Sequence, residues 1–515
     1  MTSSALREAV RRSRDGEARE VFERRVAEQA DAVREAIQAG EFDNECYTVG
    51  FELEAYAVDE SGKLARIPEA VFEADACSVE LGLHNVELNT APDALDGAGL
   101  AEQARSIRDD VTAASDALAA HGLELVLDAM WTIPPSAGTR EYLGAVEDVD
   151  GVTVAQNMRR SPRYTAIDND VLAEAGGSID LELPGVSVSF PTILAESLTS
   201  SVQPHLQVPD TETFARHYRY GIRTLGPVLA LTTNSPFLPA DCYGDVEDPV
   251  SVVKDATHES RIPVFEQSIN GSTEPGDGKV RFPGDIETAT DVVDRLEDDR
   301  TCAPFLREWV TDEEALSYTD TIWELDHKRG TYWRWLRAVI GGRPLEGVTD
   351  QSLRIEYRPI PNQPSVPDVV AVQALVSGLI PGLVEHDHPL EELSWSEARA
   401  CFYDVVENGF DAELAWITAE GKRTTDVDVV YADLFAQART GLTAQGVPAA
   451  EAEQLLGPLV ARWQARRAPS DWKKAAVRAG LEAGQSLPNA IESMQGTYIE
   501  LSGQGRPVAT WETPA

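Results

Sequence analysis

Lysine is nearly absent from this chain. Seven lysines stand among 515 residues, against 37 arginines and 87 acidic side chains, for a net charge of −43. That balance excludes the basic stripe a nucleic-acid surface requires. Cysteine is scarce as well: Cys46, Cys77, Cys242, Cys302 and Cys401 are widely spaced, with no Cys-x-x-Cys pair. This excludes a zinc ribbon and gives no support to a disulfide framework. No run approaches the eighteen or more apolar residues of a membrane span. The start, Met1-Thr2-Ser3-Ser4, leads into an Arg- and Glu-rich helix rather than the apolar core of a signal peptide. Neither a Gly-x-x-x-x-Gly-Lys phosphate loop nor a Gly-x-Ser-x-Gly elbow occurs, and Asp326-His327 with scattered serines makes no hydrolase triad.

What is present is a globular chain, 43% apolar, whose surplus acids are spread over every predicted helix. Self-repulsion of that size destabilises a compact state in dilute buffer. At molar salt the Debye length falls to roughly 3 Å and the repulsion largely disappears. The expectation is a cytoplasmic protein of a salt-in halophile. An acidic residue in such a chain is surface by default, and only acids inside apolar strands escape that reading.

The apolar pattern predicts an irregular interleaving of strands and helices. One charged amphipathic helix is expected over 5–40 and a strand over 46–60. A strand near 85–90 ends at Pro92, a helix covers 99–120, and a strand covers 124–129. The stretch 199–208 reads as a strand whose Pro204 suggests an edge or a bulge. A helix over 210–231 precedes a Gly-, Pro-, Asp- and Ser-rich stretch, 239–285, read as long functional loops. A strand over 352–359 follows, then helices to about 495 and a last strand at Thr497–Leu501. No internal repeat is seen. Strong polar/apolar alternation favours an α+β fold with an antiparallel sheet and helices on one face. The division expected is an N-terminal helix (1–44), a catalytic domain (45–365) and a mainly helical C-terminal region packed on it (366–515).

Acids do appear inside the apolar strands. In Gly50-Phe51-Glu52-Leu53-Glu54 the two glutamates are two residues apart and project to one face. Side by side they repel unless a cation or a shared proton intervenes. Glu87-Leu88-Asn89 and Arg354-Ile355-Glu356-Tyr357-Arg358 repeat the arrangement, and Gln203, His205 and Gln207 share a face of the 199–208 strand. Glu80 lies seven residues before Glu87, an odd spacing, but Gly82 and His84-Asn85 offer a bend that brings both to one site. Carboxylates on strand faces are what a sheet needs to hold hard, oxygen-liganded cations such as Mg²⁺. A basic-aromatic patch, His327-Lys328-Arg329 with Thr331-Tyr332-Trp333-Arg334-Trp335, suits adenine stacking or carboxylate binding, or else an amphipathic helix anchored by tryptophans.

These segments resemble, in order, those of the glutamate–cysteine ligases of the second type and their carboxylate–amine ligase relatives. Val49-Gly50-Phe51-Glu52-Leu53-Glu54 is similar to the opening strand, and Val86-Glu87-Leu88-Asn89-Thr90-Ala91-Pro92 to the second acidic strand. Asn234-Ser235-Pro236-Phe237, then Ser260-Arg261, then Ile355-Glu356-Tyr357-Arg358 complete the series. Where the family often shows His-x-His, this chain has Gln203-Pro204-His205, so only the second position carries over. The chain is also longer than many members.

The resemblance implies a glutamine-synthetase-like fold, a curved antiparallel sheet holding ATP and two or three Mg²⁺, with Mn²⁺ able to substitute. ATP phosphorylates the side-chain carboxylate of glutamate, and an amine, cysteine in the leading reading, displaces phosphate to give a γ-glutamyl amide. By the resemblance, Glu52, His205 and Glu356 hold one metal and Glu54, Glu80 and Glu87 another. Arg358 stabilises the transferring phosphate, Arg261 binds substrate carboxylate or phosphate, and Asn234, Gln203 and Asn89 are substrate-binding candidates. Partners are small molecules, without nucleic acid or membrane, and a homo-oligomer is allowed. Left open are a different acceptor amine, a ligase-like binding protein without catalysis, and a metal-dependent hydrolase on another fold.

Overall fold

The computed structural model describes residues 1–73, 77–244, 246–271, 278–311 and 314–512. Its centre is the strand Thr48–Val58, rich in β-branched and aromatic side chains. Val49, Phe51 and Leu53 are buried on one face, while Glu52 and Glu54 occupy the other, only partly covered. Around it runs an eight-stranded sheet in the order Leu336–Ile340, Leu353–Tyr357, Val202–Val208, Thr48–Val58, Asn85–Asn89, Ser78–Val79, with Asp93–Ala94 and Glu124–Val126 also paired to the central strand. Every pairing in it is antiparallel.

The helices Gly97–Ala119, Thr211–Thr232 and Val366–Glu385 pack against these strands. They take the apolar face: Tyr357, which points away from Glu356, brings its hydroxyl 3.4 Å from Thr224 Oγ1 of the second helix. The α+β reading with helices on the sheet's apolar side therefore holds. The helix Val366–Glu385 is long and apolar enough to cross a membrane, which the sequence was not expected to contain. Protein covers it instead, with 83% of its most apolar stretch buried. One hydrophobic core extends from Leu6 to Trp511.

Several local expectations fail for identifiable reasons. The helix expected over 5–40 is two, Ser3–Ser13 and Gly16–Gln38, because Asp15 caps the second by accepting from Ala18 N. The stretch 239–285 is not continuous loop: it contains the helices Pro249–Asp255 and Arg261–Asn270, the first begun by Pro249 and capped by Asp248. Thr497–Leu501 belongs to the helix Leu487–Ser502. Its β-branched residues misled, since tertiary packing of Tyr498 overrides a weak strand propensity. Pro204 sits in an interior strand rather than at an edge. Pairing with Leu353–Tyr357 begins only at His205, and Val202 N bonds instead to Ile360 O, so the missing N–H falls in a gap of that ladder.

Candidate active site

Cross-strand register assembles the site. Glu52 stands opposite Gln203 on one side and Asn89 on the other, Glu54 opposite Glu87, and His205 opposite Glu356. His205 Nε2 lies 3.4 Å from Glu52 Oε1 and 3.3 Å from Glu356 Oε1. It makes no hydrogen bond of good geometry with either, which leaves this buried nitrogen aimed between two carboxylates. Glu52, His205 and Glu356 each offer a ligand atom within 4.8 Å of the other two.

The second cluster is Glu54, Glu80 and Glu87, again with ligand atoms within 4.8 Å of one another. Glu80 reaches it through the hairpin joining Ser78–Val79 to Asn85–Asn89. Gly82 leaves room in that bend, since a Cβ there would fall 2.2 Å from Asn85 Oδ1 and 3.0 Å from Ser197 Cβ. His84 anchors it with ring nitrogens 3.0 Å from Tyr142 OH and 3.0 Å from Ser197 O. Burial lowers the His84 pKa to about 4 and keeps it neutral in this role.

The two clusters differ electrostatically. Burial holds Glu54 above the ordinary range against Arg261 and Arg358, while burial and neighbouring carboxylates raise Glu87 and push Glu80 up to about 8. At Glu356 burial pushes upward too, but Arg337 and Arg358 outweigh it and hold the carboxyl well below its usual value. Arg337, on the neighbouring strand in register with Glu356, forms an ion pair with it. Arg358 NH1 lies 3.2 Å from Glu356 Oε2 and also donates to Gln203 Oε1.

Two cavities flank the clusters. The smaller, of about 390 Å³, is lined by Glu54, Glu80, Arg261, Arg337 and Arg358, among others. The larger, of about 690 Å³, takes in His205, Gln207, Asn89, Val339, Ile340 and Arg354. Glu52, Glu87, Asp326 and Arg329 line both and so form the partition between them. Arg329 Nε pairs with Asp326 Oδ1 at 2.8 Å.

Of the expected site residues, the structure gathers Glu52, Glu54, Glu80, Glu87, His205, Glu356, Arg261 and Arg358. Arg261 is buried at the first position of its helix, over the Trp335 ring at 5.3 Å, with NH2 donating to Arg358 O at 2.9 Å. Of the three substrate-binding candidates, Gln203 lines the smaller cavity and Asn89 the larger, while Asn234 lies away from both. Asn234 is fully buried and lines neither cavity. Its amide donates to Asn362 O at 2.8 Å and to Tyr498 OH at 3.0 Å, so it ties the fold together. Gln203 is already spent, since Nε2 donates to Glu54 Oε1 at 3.0 Å while Oε1 receives Arg358. Asn89 donates to Glu87 Oε1 at 2.6 Å and orients that carboxylate.

The basic-aromatic patch divides. Its first part is the helix Trp323–Arg329, Trp333 lies in the short strand Trp333–Arg334, and Trp335 forms the bend that follows it. His327, Arg329 and Trp333 line the smaller cavity, whereas Lys328 turns away to Glu297 O. Arg337 and Glu196 were missed, Asp326 was weighed only as part of a hydrolase triad, and Arg329 was named only within the basic-aromatic patch. For Arg337 the signal was present, because it is a charge inside the apolar run Leu336–Ile340, the criterion that selected Glu52.

The donor sets fit hard divalent cations. One trio is all carboxylate and pushed toward protonation; the other pairs two carboxylates with an orphaned imidazole nitrogen. Such a sheet and site suit an enzyme that works with divalent cations, and the family match makes it an ATP-dependent carboxylate–amine ligase, which forms a carbon–nitrogen bond. The sequence model of glutamate–cysteine ligase family 2 matches residues 48–485, and the chain belongs to that family. No curated protein sequence matches the chain. Among solved structures, the glutamate–cysteine ligase of Francisella tularensis in complex with AMP is similar with a TM-score of 0.50 at 12% identity, over 92% of this chain and 91% of that one. A bifunctional glutathione synthetase from Pasteurella multocida gives 0.51 at 13% identity, over 88% of this chain and 52% of that longer protein.

Proposed function

We propose that the protein activates the side-chain carboxylate of glutamate with ATP and joins it to cysteine, giving γ-glutamylcysteine. The observation that carries this reading is the pair of acidic clusters on one sheet face, flanked by two cavities that share a wall. The larger cavity, at the His205 and Arg354 end, is assigned to the nucleotide. The smaller, where Arg261 and Arg358 lie, is assigned to glutamate and the acceptor. Glu52, His205 and Glu356 would hold one Mg²⁺ and Glu54, Glu80 and Glu87 a second. Bound there, Mg²⁺ would neutralise phosphate oxygens and favour charge developing in phosphoryl transfer.

The chain's own groups do the rest. Arg358 is held by Gln203 and Glu356 with its guanidinium in the cavity, where its planar fork grips two phosphoryl oxygens. Arg261 is fixed through Arg358 O and by stacking on Trp335, and offers charge to the substrate carboxylate. Walls such as Ile167, Ile193 and Phe265 limit water near the acyl phosphate. The C-terminal helices are assigned a supporting role, and the surplus acid to a salt-rich cytoplasm.

Incubation with ATP, Mg²⁺, glutamate and a panel of amines in molar KCl, with phosphate release as readout, tests the reading. Release requiring both glutamate and cysteine is expected. Release with another amine in preference to cysteine would replace the acceptor, and none with any amine would remove the activity.

A further inference from the structure

Six acidic side chains line the smaller cavity, and five have partners of their own. Glu54, Glu80 and Glu87 form one cluster, Glu52 lies in the other beside His205, and Asp326 is paired with Arg329. Glu196 is different: among the described residues its carboxylate has neither a hydrogen bond nor an ion pair.

Its backbone is nonetheless firmly placed. Glu196 sits in the short turn Ile193–Leu198. Asp168 holds that turn by accepting from Ile193 N at 2.8 Å and Thr192 Oγ1 at 3.0 Å. The next residue's carbonyl, Ser197 O, is held by both His84 and Asn85. Burial and then Glu54 push the Glu196 carboxyl up to about 8 against the pull of Arg261 and Arg358, and on its pinned turn it stands beside the groups assigned to the reacting carboxylate. Apolar Ile167, Ile193 and Phe265 line the same space. An unpartnered carboxylate in a partly dry cavity is costly unless a cation completes it.

We infer that Glu196 is the recognition residue of the acceptor subsite, binding the incoming amine as its ammonium ion beside the activated carboxylate. This rests on the ligase reading above and supplies the recognition residue that reading leaves unassigned, one suited to a primary amine that arrives positively charged, with a small apolar body.

Two nucleophiles separate this role from others. Cysteine carries an ammonium at pH 7.5, whereas hydroxylamine is uncharged there and traps an activated carboxylate as the hydroxamate. In Glu196→Gln the kcat/KM for cysteine, or for the best ammonium-bearing amine of the panel, is expected to fall roughly tenfold to a hundredfold, as for a lost charge-assisted hydrogen bond. Hydroxamate formation from glutamate, and the KM for glutamate, should stay within about twofold of wild type. Glu196→Asp should recover part of the cysteine activity. Equal loss with both nucleophiles, a raised KM for glutamate, or no loss with cysteine each overturns the inference. So does a lower number of Mn²⁺ ions bound by Glu196→Gln, which would make Glu196 a cation ligand. Absence of hydroxamate from the wild-type protein would instead sink the ligase reading itself, and the inference with it.

Discussion

Glu356 faces His205 across the sheet, with Oε1 3.3 Å from the imidazole Nε2. On its other side Arg337 stands in register and pairs with the second carboxylate oxygen. One buried carboxylate is thus shared between a prospective metal ligand and an arginine pair. Antiparallel register, not chain proximity, sets that division.

Arg358 is the first test of the division. Arg358→Lys is expected to fold and to bind ATP while losing about a hundredfold in glutamate-dependent turnover, on the order of 3 kcal/mol. Lysine keeps the charge but cannot serve Gln203, Glu356 and a phosphoryl group with one planar fork. Turnover near wild type, measured beside ATP affinity, would confine Arg358 to its ion pair.

Cation binding should depend on pH through Glu80. Its carboxyl rises from an ordinary 4.5 to about 8, chiefly by burial and then by Glu54 and Glu196. The folded protein therefore holds this proton more tightly than the unfolded chain. Stability without metal should be greatest below pH 4.5, as far as this group is concerned, and decline as pH rises toward 8. Mn²⁺ affinity should rise over the same window, because ligation displaces the proton. Calorimetric titration and melting curves from pH 5 to 9 check both slopes. In Glu80→Gln the Mn²⁺ affinity should drop and the metal-free slope flatten; an unchanged Mn²⁺ isotherm would exclude Glu80 as a ligand.

Lys473 tests how far the C-terminal helices are part of the catalytic unit. Its Nζ lies 2.5 Å from Asp128 Oδ1 and 2.8 Å from Asn234 O, in a fully buried network. Lys473→Met should cost about 3 kcal/mol in urea unfolding by stranding a buried carboxylate. Asp128→Asn added to it should restore much of the loss. A single variant as stable as wild type would show that Asn234 and Gln495 suffice for Asp128.

Salt should stabilise the whole molecule. With a net charge of −43, the melting temperature and activity are expected to rise between dilute buffer and about 2 M KCl. A flat or falling melting curve over that range would contradict the halophilic reading.

The central strand and its acids were legible because period-two alternation and carboxylates inside apolar runs are local signals. Glu52, Glu54, Glu87, His205, Glu356 and Arg358 could be chosen from them, and antiparallel α+β architecture from the alternation. The family resemblance placed Arg261, while its burial at a helix start, rather than in a loop, depended on distant Trp335 and Arg358. Asn234 looked like a site residue because its segment matched a motif. Only packing showed its amide spent on Asn362 and Tyr498, the latter 264 residues away. Glu196 carried no local sign at all, since a glutamate in so acidic a chain is surface by default. The sequence by itself determined which side chains share a strand face, because backbone geometry fixes that within a few residues. The tertiary structure decided which of those faces meet, which polar groups are consumed by the fold, and which are left free, because register and burial are set by partners hundreds of residues apart.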